Sequence, residues 1–262
     1  MNAENPPLLL REDKNGVATL TLNRPGARNA LSRGLMAALH AALDGIEADQ
    51  TVRVVIIAGA GPGFCAGHDL REIRAEPGRA AYEALFAACS ALMLRIQTLR
   101  QPVIARVHGV ATAAGCQLAA TCDLAVADPE ARFATPGVNI GLFCSTPMVA
   151  LSRAVGRKMA MRMLLTGEMM SAEAALAAGL ISHVAAPGAL ETETQALAAG
   201  IAAKSPLTLA VGKRAFYEQA EMPVRDAYAH ASKVMTTNML ARDAEEGIDA
   251  FLEKRDPVWE GR

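Results

Sequence analysis

Two glycine-containing segments carry residue types that could stabilise a negatively charged oxygen. They are CAGHD at 65–69 and ATAAG at 111–115, and each follows an apolar run that predicts a buried strand. The first turn of a helix leaves backbone N–H groups without intrahelical acceptors, and the helix dipole adds positive potential there. Free amides around Ala113, Ala114 and Gly115 would therefore form a site for an oxyanion.

The same small residues also occur wherever a helix packs closely against a neighbour, so ATAAG alone leaves both interpretations open. The CAGHD segment favours the chemical interpretation, because amides from the two segments could converge on one atom. Preorganised amides of this kind form an oxyanion hole, which stabilises charge that develops on a carbonyl oxygen.

Other catalytic motifs are incomplete. The segment GAGPGF at 59–64 imitates a dinucleotide fingerprint, but Phe64 takes the last glycine position and Pro62 removes an amide. No phosphate-binding loop ending in Gly-Lys-Ser/Thr is present, and no His or Cys spacing suggests a metal site. Ser145, in FCSTP, lacks the glycines that a nucleophile elbow requires, although it stays a candidate catalytic residue.

The elements before CAGHD can be read from local patterns. Residues 8–25 predict a β-hairpin about Lys14-Asn15-Gly16. Apolar residues at helical spacing from Leu31 to Ile46 then predict a helix capped by Asn29 or Ser32. The run VRVVIIAG at 52–59 predicts a buried strand.

The later elements complete a layered architecture. We expect helices at 64–75 and 80–100, a strand at 103–107, a turn at Gly109, a short helix from Thr112 and a further strand. An extended segment at 133–141 follows, and helices dominate from Pro147, apart from a strand at 180–184. Mixed strands and helices followed by helices alone predict an α/β core, 1–200, with a helical C-terminal region, 201–262.

Composition excludes several classes of protein. The 262 residues are 52% hydrophobic, and 26 basic residues nearly balance 27 acidic ones, which argues against a nucleic-acid partner. No stretch is long enough to span a membrane, and the start, MNAENPPLLLRED, has neither a signal peptide nor an Arg-rich transit pattern. Five cysteines, an odd number in apolar contexts, indicate a reducing compartment. We therefore expect a cytoplasmic protein.

Six segments in order resemble the crotonase (enoyl-CoA hydratase/isomerase) superfamily, and the resemblance extends over essentially the whole chain. They are LNRPGARNAL, GFCAGHDL, VHGVATAAGCQLAATCDLAVAD, FATPGVNIGL, LLTGEMMSAEAALAAGLISHV and FLEKRDPVW. Several look most like its enoyl-CoA hydratase domain-containing protein 3 group. The resemblance implies a spiral of strand-strand-helix repeats and a C-terminal helical trimerisation region. It also implies a homotrimer or a dimer of trimers.

The resemblance further implies an acyl-CoA substrate, with coenzyme A as part of the thioester and no prosthetic group. The oxyanion-hole amides fall on His68 and Ala114, and we expect the imidazole of His68 to be turned aside. Arg71 and, from an adjoining subunit, Lys254 would bind the phosphates of coenzyme A. Five further residues would contact the coenzyme: Arg24, Ala66, Gly67, Asp69 and Leu70.

Two positions depart from the family pattern. Where a hydratase of this superfamily has two glutamates, this chain has Gln117 and Gly137, and neither can act as an acid or a base. Some isomerases carry an acid at the position of Ser145. Cys65, Cys116 and Cys144 are expected near the same pocket, where packing explains them as well as chemistry does.

Three functions remain open at this point. The first is a lyase or isomerase of the family, acting in fatty-acid or related acyl-CoA metabolism with weak or altered hydratase chemistry. The second is decarboxylation or thioester hydrolysis at the same oxyanion hole. The third is a non-catalytic acyl-CoA-binding subunit.

Overall fold

The structure, a computed structural model, describes residues 6–262. Residues 1–5, on which part of the expectation about an amino-terminal leader rests, lie outside the described residues. The strands are β1 (Leu9–Lys14), β2 (Val17–Leu22), β3 (Val54–Gly59), β4 (Val103–Val107), β5 (Val110–Thr112), β6 (Leu124–Ala127), β7 (Arg132–Ala134), β8 (Met170–Ser171) and β9 (His183–Val184).

The helices lie between and after the strands. They are α1 (Arg33–Ala48), α2 (Leu70–Ala75), α3 (Arg79–Thr98), α4 (Ala114–Thr121), α5 (Pro147–Ala154), α6 (Arg157–Thr166), α7 (Ala172–Ala178), α8 (Leu190–Ala202), α9 (Pro206–Ala220), α10 (Val224–Met239) and α11 (Arg242–Glu253). Short 3-10 helices occur at Pro25–Ala27 and Pro136–Ile140.

The predicted hairpin and first helix are confirmed. Lys14 pairs with Val17 across a two-residue turn in which Asn15 and Gly16 have φ values of 52° and 77°. Those positive angles match the twist of the flanking strands and suit an Asn-Gly pair. Ser32 caps α1 by accepting a hydrogen bond from the N–H of Leu35.

The strands form two sheets, and from β4 to β7 they alternate between them. The larger has the order β1-β2-β3-β4-β6-β9 and is parallel except for β1, and the smaller has the order β5-β7-β8. In the central stretch β4 joins the larger sheet, β5 joins the smaller, and α4 leads back to β6. The stretch from β4 to α4 is therefore one strand-strand-helix repeat with one strand in each sheet, as the family resemblance implies.

The larger sheet is covered on both faces. Val55 and Ile57 of β3 face a cluster with α1 and α3, whereas Val54 and Ile56 face a smaller cluster under α8. A parallel strand buried on both faces reads as a continuous apolar run, which is why VRVVIIAG showed no alternation.

Several predicted bounds were wrong. Residues 64–69 are not helical, since α2 begins only at Leu70 after a cap by Asp69. Thr112 ends β5, and α4 begins at Ala114. The predicted extended segment at 133–141 is a strand only to Ala134, after which Pro136 opens a 3-10 helix. The predicted strand at 180–184 shrinks to His183–Val184.

A buried lysine of α9 helps to join the C-terminal helices to the core. Nζ of Lys213 donates to the carbonyl oxygens of Ile96, at 2.8 Å, and Gln101, at 3.0 Å, and pairs with Asp123 at 2.7 Å. The predicted boundary at 200/201 falls in the last turn of α8, which packs on the larger sheet, so α9 is the first helix beyond that sheet. Large apolar side chains stay exposed on α9 to α11: Phe216, Tyr228, Met235, Leu240, Phe251 and Leu252.

Candidate active site

The CAGHD and ATAAG segments lie against each other through backbone hydrogen bonds. Cys65 donates its N–H to the carbonyl oxygen of Val110 at 3.0 Å, and Thr112 donates its N–H to the carbonyl oxygen of Cys65 at 2.9 Å. The hydroxyl of Thr112 adds a bond to the carbonyl oxygen of Ala66 at 3.1 Å. The predicted convergence of the two segments is therefore present in the fold.

Two glycines allow this close approach. A Cβ atom on Gly115 would lie 2.0 Å from the carbonyl oxygen of Cys65, so no side chain fits there. Gly67 has a φ of 101°, and a Cβ atom on it would lie 3.5 Å from the backbone nitrogen of Ala114. The backbone immediately before His68 is thus in contact with the start of α4.

The two amides predicted to hold an oxyanion have no acceptor in the part of the chain that the structure describes. Among residues 6–262, neither the N–H of His68 nor that of Ala114 donates a hydrogen bond to a protein atom. Ala113 differs, because its N–H donates to the carbonyl oxygen of Ala134 at 2.9 Å. The N–H groups of His68 and Ala114 are therefore available as donors, whereas the amide of Ala113, which we had grouped with Ala114, is not.

Backbone strain accompanies this arrangement. Ala113 has φ of 50° and ψ of −118°, in a region that residues with a Cβ atom rarely occupy. Such conformations cost free energy and persist where the surroundings impose them, often at functional sites.

The imidazole of His68 is enclosed beside these amides. Its ring lies edge-on to the ring of Phe86 in α3, with centroids 5.9 Å apart. Burial lowers the pKa of His68, and the backbone of Leu31 and the charge of Glu72 offset part of that lowering. Neither ring nitrogen is solvent-exposed or hydrogen-bonded to any of residues 6–262.

Gln117 lies on α4, one turn after the free amide of Ala114. Its side chain is buried, and its Oε1 accepts a weak contact from the thiol of Cys89 at 3.8 Å. Gly137 is buried in the 3-10 helix that follows β7. A Cβ atom on Gly137 would lie 2.6 Å from the carbonyl oxygen of Leu142 and 2.9 Å from Sγ of Cys144.

The residues predicted to contact coenzyme A are of two kinds, those paired with each other and those exposed to solvent. Arg24 pairs with Asp69 at 2.7 Å, which holds the pKa of that carboxyl below its usual range. Asp69 also accepts from the N–H of Arg71 and so caps α2. Leu70 and Arg71 are exposed, and Arg71 makes no ion pair within residues 6–262. Arg71 is the more available of the two arginines for a phosphate.

The remaining predicted residues lie outside this cluster of contacts. Ser145 is exposed, and its hydroxyl donates to the carbonyl oxygen of Phe143 at 3.4 Å, so nothing here activates it as a nucleophile. Lys254 ends α11, in a helical region whose contacts are with α9 and α10. A role for Lys254 at the site of a neighbouring copy stays a prediction.

The cysteines are thiols within the protein. All five are free and buried. Burial raises the pKa of Cys65 and of Cys116 to about 12 and that of Cys89 to about 11, so these groups stay protonated at neutral pH. Within residues 6–262 no group of three or more His, Cys, Asp or Glu side chains could hold a metal ion.

Sequence reasoning missed two buried polar residues around the site. Asn29 was a candidate helix cap, but its amide group instead donates to the carbonyl oxygens of Ala60 and Gly63, both at 2.8 Å. Thr135 is fully buried, and its hydroxyl has no partner within the described part of the chain. The sequence signal that could have placed Thr135 near the site is its position two residues before Gly137.

Comparison with known proteins identifies the family. The family model described as enoyl-CoA hydratase/isomerase matches residues 12–262. The enoyl-CoA hydratase domain-containing protein 3 of Xenopus laevis is 46% identical over 98% of this chain and 87% of its own. This chain belongs to the enoyl-CoA hydratase/isomerase family. The resemblance seen in the six sequence segments is thereby confirmed.

Other members of the enoyl-CoA hydratase/isomerase family support this assignment. The 2,3-dehydroadipyl-CoA hydratase of Escherichia coli is 39% identical over 94% of this chain and 96% of its own. The crystal structure of an enoyl-CoA hydratase from Mycobacterium smegmatis matches with a TM-score of 0.94 and 57% identity, over 97% of this chain and 99% of that one. The chain therefore has the predicted crotonase fold.

The names of the relatives overturn one expectation. Five relatives, from Xenopus laevis, Mus musculus, Rattus norvegicus, Danio rerio and Homo sapiens, are 45–46% identical and are named as mitochondrial proteins. The prediction of a cytoplasmic protein is wrong by this comparison. Unpaired cysteines indicate a reducing environment but do not distinguish between reducing compartments. Separately, no helix within residues 6–262 is both long and apolar enough to cross a membrane.

Proposed function

We propose that this member of the family binds acyl-CoA thioesters and stabilises the thioester enolate with the N–H groups of His68 and Ala114. The observation that carries the proposal is the pair of free amides on two interlocked segments. Negative charge on an enolate concentrates on the thioester oxygen, where each preorganised donor typically contributes about 100- to 1,000-fold in rate.

We further propose that hydration of an enoyl-CoA is slow in this protein. Hydration needs groups that activate water and protonate carbon, and each typically contributes about 100- to 10,000-fold. Gln117 can hold a water molecule but cannot exchange a proton at neutral pH. Gly137 has no side chain, and the carbonyl of Leu142 and the thiol of Cys144 fill the space beside it.

The coenzyme would be held by exposed cations. Arg71 follows the loop that carries the His68 amide, and Lys254 would come from an adjoining copy in a homotrimer or a dimer of trimers. The assembly is supported by large apolar side chains left exposed on the C-terminal helices, among them Leu240, 84% exposed, and Phe251, 82% exposed. Cations in these positions suit the phosphates of coenzyme A.

A second candidate is decarboxylation of an acyl-CoA that carries a carboxylate next to the thioester. Loss of carbon dioxide generates the enolate without a base, so it needs the amides but not the two glutamates. The replacement of both by Gln117 and Gly137 favours this candidate.

A panel of CoA esters tests these functions. Binding is measured by calorimetry with crotonyl-CoA and free CoA, and products are identified by mass spectrometry. We expect binding and slow hydration of crotonyl-CoA, whereas turnover on the order of 10 per second or faster would contradict our account of Gln117 and Gly137. Hydrolysis, decarboxylation and binding without turnover give distinct products, and absence of binding would overturn the proposal.

Gln117→Glu provides a direct check, because it restores one carboxylate without a change in side-chain size. We expect it to raise crotonyl-CoA hydration, by up to about 100-fold if the carboxylate reaches the water. Gln117→Met, which keeps the length but adds no acid, is the matched control and should leave the rate low.

A further inference from the structure

The imidazole of His68 and the amide of Gln117 meet the same face of α3. The His68 ring contacts Phe86, and Oε1 of Gln117 lies 3.8 Å from Sγ of Cys89. Phe86 and Cys89 are three residues apart on one helix, so their side chains are neighbours. The imidazole therefore lies on the side of the oxyanion amides where Gln117 replaces a carboxylate.

The ring nitrogens lack partners that a structural histidine would have. Both are enclosed and neither has a hydrogen-bond partner in residues 6–262. Leaving a buried polar group unpaired costs free energy, and most buried polar atoms in folded proteins are paired. The residue that carries one of the two free amides thus also has a ring donor and a ring acceptor that the described residues leave unpaired.

The other ionisable groups around the ring are thiols that stay protonated and carboxylates that already have a partner. Cys65 and Cys89 stay protonated because burial raises the pKa of each thiol. From α2, Glu72 accepts the backbone N–H of Arg33, and Asp69 pairs with Arg24. His68 is thus the group of this cluster that can both accept and donate a proton near neutral pH.

We propose that the imidazole of His68 is a catalytic residue that transfers the proton at C2 of the bound acyl thioester. A ring nitrogen takes the C2 proton, and the C–H electron pair forms a double bond between C2 and the thioester carbon. The carbonyl π pair moves to the thioester oxygen, which the N–H groups of His68 and Ala114 hold. The imidazolium then returns the proton to carbon, so no other reactant is needed. This inference rests on the proposed function and replaces our expectation that the ring is turned aside.

Phe86 contacts the imidazole and also forms part of the surface of α3. It is 41% exposed and lines an open groove of about 580 Å³ along α3, together with Arg79, Tyr82, Glu83, Ala87 and Ser90. In the proposed reaction, an acyl chain in this groove would displace Phe86 and bring C2 toward the ring.

Deuterium exchange isolates this step from the rest of the reaction. Butyryl-CoA is incubated with the full-length protein in D2O, and loss of the C2 proton signal is followed by NMR. We expect exchange by the unaltered protein and a loss of about 100-fold or more in His68→Phe, which keeps an aromatic ring and both backbone amides. His40→Phe, at a partly exposed histidine of α1, should exchange normally.

Chemical rescue separates proton transfer from a packing role. His68→Ala leaves a cavity that added imidazole can enter, so imidazole should restore exchange in His68→Ala but not in His68→Phe. The exchange rate of the unaltered protein should rise with pH through a pKa below 6.5 and then level off, and this rise should be absent in His68→Phe.

The outcomes are distinguishable. If butyryl-CoA binds by calorimetry but shows no exchange, or if His68→Phe exchanges as fast as the unaltered protein, the proton-transfer role is overturned while the proposed CoA site stands. If butyryl-CoA does not bind, the proposed function fails and this inference fails with it.

Discussion

Sγ of Cys144 lies 2.9 Å from the point where Gly137 would carry a Cβ atom. The carbonyl oxygen of Leu142 is closer still, at 2.6 Å, and the φ of Gly137 is outside the left-handed region. The obstacle to a side chain here is therefore steric, not a backbone angle reserved for glycine. A glutamate at position 137 would have to displace backbone as well as the thiol, so Gly137→Glu is a poor route to a restored hydratase.

Gly137→Ala should lower stability. Overpacking of this kind typically costs about 1–3 kcal/mol, and each kcal/mol lowers Tm by about 2–4 °C in a chain of this size. Thermal unfolding followed by circular dichroism measures the effect. Gly200→Ala in α8, where a Cβ atom meets nothing within 4 Å, is the matched control and should leave Tm unchanged or slightly raised. Equal Tm values for the two variants would contradict the crowding at Gly137.

Ala113→Gly should raise stability, because glycine adopts a φ of 50° and ψ of −118° without strain. Relief of such strain is worth about 1–3 kcal/mol, against which the greater freedom of unfolded glycine costs about 0.4–1 kcal/mol. The same substitution in the last turn of α4, Ala120→Gly, where the helix requires no positive φ, should instead cost up to about 1 kcal/mol. Urea unfolding of both variants tests the opposite signs, and a loss of stability in both would mean that Ala113 is not strained.

Arg71→Ala should weaken the binding of free coenzyme A by roughly 1–3 kcal/mol if the guanidinium of Arg71 makes a charge-assisted phosphate contact. Calorimetry at two salt concentrations measures this, since screening should reduce the difference at high salt. Arg74→Ala, an exposed cation on the same short helix, is the control and should bind as the unaltered protein does. A similar loss in both variants would indicate a general charge effect instead of a phosphate site at Arg71.

Glu246→Gln should make the stability of the protein less sensitive to acid. Arg255 donates to both carboxylate oxygens, at 2.6 and 3.0 Å, and lowers the pKa of Glu246 to about 2. A carboxyl with a depressed folded pKa stabilises the fold above its unfolded pKa, near 4.5, and the contribution is lost as pH falls toward 2. Tm should therefore fall less steeply between pH 4.5 and 2 in Glu246→Gln.

The control for this pH dependence is Asp249→Asn, at an exposed position of the same helix. Its Tm profile should follow that of the unaltered protein. A Glu246→Gln profile just as steep as that control would exclude the Arg255 contact as a source of acid sensitivity.

The elements that sequence predicted correctly depend on local patterns. The Asn15-Gly16 turn, the Ser32 cap and the buried run of β3 each follow from neighbouring residues and need no distant partner. Residues 64–69 were misjudged because their backbone is held by long-range hydrogen bonds, from Cys65 to β5 and from others among them to Arg28, Leu31 and His108. The resemblance to a family, not periodicity, located His68 and Ala114 within the site.

Sequence patterns do not reveal how side chains share space around the site. That Cys144 occupies the volume beside Gly137, and that Arg24 is neutralised by Asp69, depends on residues far apart in the chain. The unpartnered hydroxyl of Thr135 is equally invisible, because whether a buried polar atom finds a partner is decided by packing alone.

The interlock between Gly115 and Cys65 has a consequence for heat inactivation. The two segments are packed too closely at this point for a side chain to fit between them, and Cys65 is hydrogen-bonded to β5 of the smaller sheet. The pair of amide donors cannot drift apart while that sheet persists. Loss of activity on heating should therefore coincide with cooperative unfolding of the whole core, in contrast to enzymes whose sites are carried on mobile loops and fail at lower temperatures.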